Sequence, residues 1–231
     1  MQTTSHWTIE IDRAILGQNA KYAGENRRRF HEAGLVVLNL VSSPGSGKTA
    51  LLERTLAELR DQIRLGVHVG DLRTDNDARR LEGKGAPVVQ IVTGGTCHLE
   101  ASMVSRAADQ FDLNNLDILI IENVGNLVCT ASYDLGEDLR VVLLSVTEGE
   151  DKPLKYPVIF RNADLVLITK IDLAEAADAD MPMLRDNVRK AAPNAEVIEL
   201  SARSGQGMRN WYRYLLQARG RMHERRATGG H

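Results

Sequence analysis

An α/β fold, with a mostly parallel central sheet and helices on both faces, is predicted by three features of the sequence. Seven short apolar runs rich in β-formers alternate with helical stretches. Most of these runs are continuously apolar rather than alternating, the pattern of strands covered on both sides. One of them, VVLNLV, leads straight into the glycine-rich turn SSPGSGKT (Ser42 to Thr49), which opens a helix. That is the setting in which a phosphate-binding loop works, so the architecture expected is that of a P-loop NTPase.

The elements follow in order. Residues Thr8 to His31 read as helix, with Ile11, Ile15, Leu16, Ala20 and Ala23 near helical spacing. The strand candidates are Val36–Val41, Leu65–Val69, Pro87–Val92, Asp117–Glu122, Arg140–Val146, Leu165–Thr169 and Glu196–Leu200. Helices are expected after Lys48, Asp75, His98, Pro153, Met181 and Gly207. The Ala/Asp-rich stretch at 174–180 reads as a surface loop. The resulting organisation is an N-terminal helical segment (1–33), a nucleotide-binding domain (34–219) and a disordered tail (220–231).

Composition narrows the function classes. A net charge of −2 and a pI near 6.3 argue against nucleic acid or an anionic membrane as the main partner. Arg27 to Arg29 read as the solvated end of a helix. No apolar run approaches the roughly 20 residues of a membrane span, and the polar N-terminus does not look like a secretory signal. Two cysteines make no disulfide framework, so a reducing, cytoplasmic setting is expected.

In the loop, Gly45, Ser46 and Gly47 let backbone N–H groups converge on phosphate oxygens. Lys48 supplies positive charge, Thr49 offers a hydroxyl to Mg²⁺, and Ala50 continues the helix. Ser42 stands where the motif's first glycine is expected. The run DILIIE ends in Glu122, followed by Gly125 in an E-x-x-G pattern. Such an acid can hold Mg²⁺ or orient water, and Gly125 leaves an N–H for the terminal phosphate. In GDLRTDNDARRL, Asp71, Asp75 and Asp77 are all candidate switch acids, with Asp75 also suited to capping a helix.

The base is read elsewhere. Thr169, Lys170 and Asp172 form T-K-I-D at a strand end. A carboxylate there can accept from both N1–H and the amino group of guanine, a donor pair that adenine lacks. Lys170 can lay its stem along the base. Thr169 stands in place of the usual Asn. Ser201, Ala202 and Arg203 resemble the S-A-K loop whose backbone contacts the guanine oxygen. The expected ligands are GTP and GDP.

Cys97 and His98 lie in GGTCHLEAS, and Cys129 lies seven residues past Glu122. Thiolate and imidazole suit Ni²⁺ or Zn²⁺. Three ligands are one short of a closed tetrahedral site, leaving water, Glu or another chain to complete it. Structural burial of the cysteines stays open as the alternative. His6, His31, His68, His223 and His231 read as structural or surface residues.

Taken together, SSPGSGKT, GDLRTDNDARRL, TGGTCHLEASM, IIENVGNLVC and above all LSVTEGEDKPLKYP resemble the HypB family of hydrogenase nickel-incorporation GTPases, from about Ile11 to Leu216. SSP at the start of the loop is typical of that family. The resemblance implies GTP hydrolysis coupled to a GTP-dependent homodimer. It also implies nickel handling at Cys97, His98 and Cys129 at the dimer interface, and Mg²⁺ and phosphates at Lys48, Thr49, Asp77 and Glu122. Lys152 and Lys155 would reach nucleotide in the partner subunit. The implied partners are a HypA-like nickel protein, docking on the N-terminal helix, and a [NiFe]-hydrogenase large-subunit precursor. The N-terminal cysteine motif and histidine-rich segment of some members are missing, so no nickel storage is expected. Three rival readings are a small-molecule kinase, a regulatory GTPase with structural zinc, and delivery of nickel to urease.

Overall fold

The computed structural model describes residues 4–73 and 75–228, with side chains other than those of 4–15, 223 and 225–228. Its centre is a seven-stranded sheet in the order β3-β2-β4-β1-β5-β6-β7. The strands are β1 (Val36–Ser42), β2 (Leu65–Asp71), β3 (Val88–Val92), β4 (Ile118–Glu122), β5 (Leu139–Ser145), β6 (Leu165–Thr169) and β7 (Glu196–Glu199). Every pairing is parallel. The helices are α1 (Thr4–Ala33), α2 (Lys48–Leu59), α3 (Asn76–Leu81), α4 (Ala101–Ala108), α5 (Lys152–Lys155), α6 (Pro157–Arg161), α7 (Met181–Ala191) and α8 (Met208–Thr228).

The continuous apolar runs are explained by which face each residue serves. On one face Leu38, Leu40, Ile118 and Ile120 pack with Leu51, Leu52 and Leu56 of α2 and Trp211 of α8. On the other face Val37, Leu119 and Ile121 meet Phe30 of α1 and Val104 of α4. Further along that face, Val142, Leu144, Val166 and Ile168 meet Phe160 of α6 and Val188 of α7. Alternate residues point to opposite sides, and both sides are dry. Trp211 has no exposed surface, and its Nε1–H donates to Thr55 Oγ1 at 2.9 Å, which joins α8 to α2.

Three expectations change. The described inner face of α1 is Asn19, Ala23, Asn26 and Phe30, whereas Leu16 and Ala20 are exposed. Ile11 and Ile15 lie outside the described side chains. The helix docks through hydrogen bonds: Asn26 Nδ2 donates to the carbonyls of Ala101 (2.8 Å) and Leu135 (3.0 Å), and Asn19 donates to that of Asp134 (2.7 Å). Gly136, at φ +89°, permits the close approach, because a Cβ there would lie 2.7 Å from the Ala23 carbonyl oxygen. The arginine cluster is only partly solvated, since Arg27 pairs with Asp134 and Arg29 with Asp109. Finally, α8 continues through Thr228, so most of the stretch from Gly220 expected to be disordered is helical.

Candidate functional site

The site lies at the C-terminal ends of the central strands, where α/β sheets bind ligands. The turn after β1 brings Gly47, at φ 97° in the left-handed region, to the N-cap of α2. Ser42 is the last residue of β1 and fully buried, and its Oγ accepts from Lys48 Nζ at 2.9 Å. The residue in place of glycine is thus a hydroxyl that steadies the lysine. Ser46 Oγ donates to Glu148 Oε1 at 2.7 Å. Glu148, from the EGEDKPLKYP stretch, also closes a capping box with Ser145. The stretch therefore braces the phosphate loop from the side.

A cavity of about 420 Å³ opens here, with Gly45, Gly47, Lys48, Thr49 and Gly125 on its walls together with Asp71, Asp77, Arg80 and Glu122. Thr49 Oγ1 donates to Glu122 Oε1 at 2.7 Å, while Glu122 Oε2 is buried without a hydrogen-bond partner among the described residues. Burial pushes the Glu122 carboxyl up to about 7, against the pull of Lys48 and Thr49. Burial also lowers Lys48, opposed by Glu122, Asp77, Glu148 and Asp71. Hard oxygen donors beside an unpartnered buried carboxylate oxygen fit Mg²⁺, and the converging loop and helix N-terminus fit phosphate. Gly125 is needed for closeness: a Cβ there would fall 3.0 Å from Pro44 Cα. Asp75 stands at the N-cap position of α3 without capping through its side chain, and pairs instead with Arg79 at 2.8 Å.

A second cavity, of about 240 Å³, adjoins the first around Gly47 and Ala50. Its walls include Ser46, Thr169, Lys170, Asp172, Ser201, Ala202 and Arg203, with Leu51, Leu173 and Leu200 making it largely apolar. Thr169 Oγ1 donates to the Ser46 carbonyl at 2.7 Å, so threonine at this position ties the base cavity to the phosphate loop. Lys170, in the left-handed region at φ 58°, lies across the loop and donates to the Gly45 carbonyl at 2.6 Å. A largely apolar cavity with one carboxylate on its wall can hold an aromatic base and select for its donors.

Cys97, His98 and Cys129 come together, with their ligand atoms all within 4.8 Å of one another. The two sulfurs are 2.6 Å apart, and His98 Nδ1 is 3.8 Å from Cys97 Sγ. The His98 ring stacks on Tyr133, with centroids 3.8 Å apart, and its Nε2 is buried without a hydrogen-bond partner among the described residues. Burial lowers the His98 pKa, which favours the neutral imidazole that binds metals. The neighbouring Cys97 thiol and burial raise Cys129. Two thiols and an imidazole suit Ni²⁺ or Zn²⁺ and not Mg²⁺.

Lys155 is not brought to either cavity: it is exposed and paired with Asp151 at 2.6 Å. Lys152 faces Glu148 at 3.5 Å. Arg80, which sequence reasoning passed over, reaches the phosphate cavity while held by Glu53 at 2.6 Å. Also passed over were Glu148 and the buried amides Asn39 and Asn123. Asn39 did leave a signal, because a lone amide inside an apolar strand needs partners.

Residues 36–199 match the family model of the CobW/HypB/UreG nucleotide-binding domain. The chain is 51% identical over 212 residues to "Hydrogenase maturation factor HypB" of Azotobacter chroococcum mcd 1, covering 92% of this chain and 70% of that one. It is 44% identical over 213 residues to "Hydrogenase/urease maturation factor HypB" of Helicobacter pylori, covering 90% and 87%. The crystal structure of Helicobacter pylori HypB in complex with nickel superposes with a TM-score of 0.84 at 43% identity, covering 88% of this chain and 96% of that one. The chain belongs to the HypB branch of the CobW/HypB/UreG family of nucleotide-binding proteins.

Proposed function

We propose that this protein is a GTP-hydrolysing nickel metallochaperone for [NiFe]-hydrogenase maturation. The observation that carries the reading is the loop after β4. It lines the phosphate cavity from Glu122 to Gly125, where it passes against Pro44, and reaches the thiol pair at Cys129. The nickel complex of the Helicobacter pylori relative supports nickel as the cargo.

In this reading Lys48 and the loop N–H groups hold the β and γ phosphates. Thr49, Asp77 and Glu122 hold Mg²⁺, which supplies charge neutralisation on the phosphates. Glu122 and Asp77 orient the attacking water, and Gly125 senses the terminal phosphate. Asp172 selects guanine, flanked by Lys170 and the 201–203 loop. Cys97, His98 and Cys129 carry the ion, as neutral imidazole and ionised thiols. Three ligands leave a position for a second copy or a client. Val128, next to Cys129, is 64% exposed, an apolar contact available to a GTP-dependent dimer. In such a dimer Lys155 would leave Asp151 to reach the partner's nucleotide. A HypA-like nickel protein would dock on α1, and the hydrogenase large-subunit precursor would be the client. Nickel supply to urease is the second reading, supported by the name of the Helicobacter pylori relative.

Titrating the reduced protein with nickel, in GDP and in a non-hydrolysable GTP analogue, tests the reading. A several-fold difference in affinity, with doubling of mass in the GTP form by light scattering, is expected. Nucleotide-independent binding would favour a structural zinc switch instead. For the base, Asp172→Asn removes two charge-assisted hydrogen bonds. GTP affinity should fall roughly 100- to 1,000-fold, and xanthosine triphosphate should gain, as read by calorimetry. Glu122 gives a pH test in nucleotide-free protein with EDTA. Folded, it keeps its proton up to about 7; unfolded, only to its ordinary value of 4.5. The folded state therefore binds the extra proton between these values, and the group's contribution to stability falls as pH rises through that window. Urea denaturation of Glu122→Gln should lack this loss, about 3 kcal/mol, relative to the wild type.

A further inference from the structure

We infer that Asn123 and Arg140 are positioning residues that tie the strand end carrying Glu122 to both loops of the Cys97/His98/Cys129 cluster. The inference rests on the metallochaperone reading and assigns its coupling to particular side chains. It begins at Asn39, which has no exposed surface and stands in register between Ile121 of β4 and Arg140 of β5. A fully buried amide is costly unless its groups are bonded. Asn39 Oδ1 accepts from Asn123 Nδ2 at 3.2 Å, and Asn39 Nδ2 donates to Glu137 Oε1 at 3.1 Å.

From these two partners the network reaches both metal loops. Asn123 is 1% exposed and follows Glu122 directly. Its Oδ1 accepts from the backbone N–H of Leu99 at 3.2 Å, and Leu99 follows His98. One side chain therefore separates the end of β4 from the first metal loop. On the other side, Glu137 accepts from Arg140 Nη2 at 2.7 Å and from Nε at 3.1 Å. The rest of the guanidinium fork donates to the carbonyls of Ala131 and Tyr133, each at 3.1 Å. Ala131 closes the short turn that carries Cys129, and Tyr133 is the ring stacked on His98.

Neither Asn123 nor Arg140 is a soft-metal donor of the cluster, yet each holds a different half of it. A buried, fully bonded network of this kind imposes one geometry on what it joins. A shift of Glu122 moves Asn123 by way of one peptide bond, and with it the Leu99–His98 backbone. The Cys129 turn stays pinned to β5 by Arg140. The spacing between the two halves of the cluster thus follows the position of β4's end.

Asn123→Ala and Arg140→Lys test this, the second keeping charge beside Glu137 while giving up the fork. Nickel affinity is read from sulfur-to-nickel charge-transfer absorption, in GDP and in a non-hydrolysable GTP analogue, beside the wild type. The wild type should show a several-fold ratio between the two states, and in each variant the ratio should fall to within about twofold of one. A merely structural role would weaken nickel equally in both states and leave the ratio intact, which would overturn the inference. A wild type without any ratio would instead overturn the metallochaperone reading on which it rests. Should either variant fail to fold, hydrogen exchange at the Leu99 amide of the wild type decides: nucleotide-dependent protection supports the inference, and identical protection refutes it.

Discussion

A lysine at the start of α2 and a glutamate at the end of β4, buried together, are the constraint on which the rest of the site depends. Lys48 and Glu122 are 8% and 3% exposed. Removing such charges from water costs several kcal/mol each in general, and only good partners offset it. Here the partners are few: Ser42 for the lysine and Thr49 for one glutamate oxygen. Both groups are accordingly pulled toward neutrality, the acid up and the base down. An anion at the loop with a divalent cation beside it would restore both charges. The site is thus arranged to be completed by a nucleotide, and the local disfavour of its side chains is the kind of exception that functional sites show.

The fold turns this into a geometry with two ends. β4 lies between β1 and β2, and Glu122 is in register with Leu40 and with Val69. The loop leaving β4 therefore starts inside the phosphate cavity. Gly125 lets it press on Pro44, and seven residues after Glu122 it delivers a thiol to the one on the loop after β3. Glu148, in the turn after β5, and Thr169, at the end of β6, brace the phosphate loop from two other sides. The end of β4 thus touches the metal cluster by two routes, its own loop to Cys129 and the Asn123 side chain to the Leu99 amide.

Much of this was legible in the sequence because it depends on local rules. Two-sided burial writes itself as continuous apolar runs in the five inner strands, and all seven strands were found to within about two residues at either end. The phosphate loop and T-K-I-D sit at strand ends because their chemistry needs that position. What escaped depends on partners far along the chain. The docking face of α1 is set by Asn19 and Asn26 bonding to backbone near residues 101 and 135, which a search for apolar periodicity passes over. Among the switch acids, Asp71 and Asp77 both reach the cavity and Asp75 does not, a distinction that turns on where α3 begins. The extension of α8 past Gly220 reflects helix propagation through polar residues that lack apolar spacing.

The central claim is that nucleotide and nickel are linked through the end of β4. Linkage is reciprocal, so nickel must alter nucleotide preference by the same factor by which nucleotide alters nickel affinity. The direct test is the affinity ratio of a non-hydrolysable GTP analogue to GDP, measured by calorimetry on metal-free and on nickel-loaded protein, with Cys97→Ala as the control. The account predicts a several-fold change in that ratio on nickel loading, and no change in the control. An identical ratio with and without nickel would contradict it.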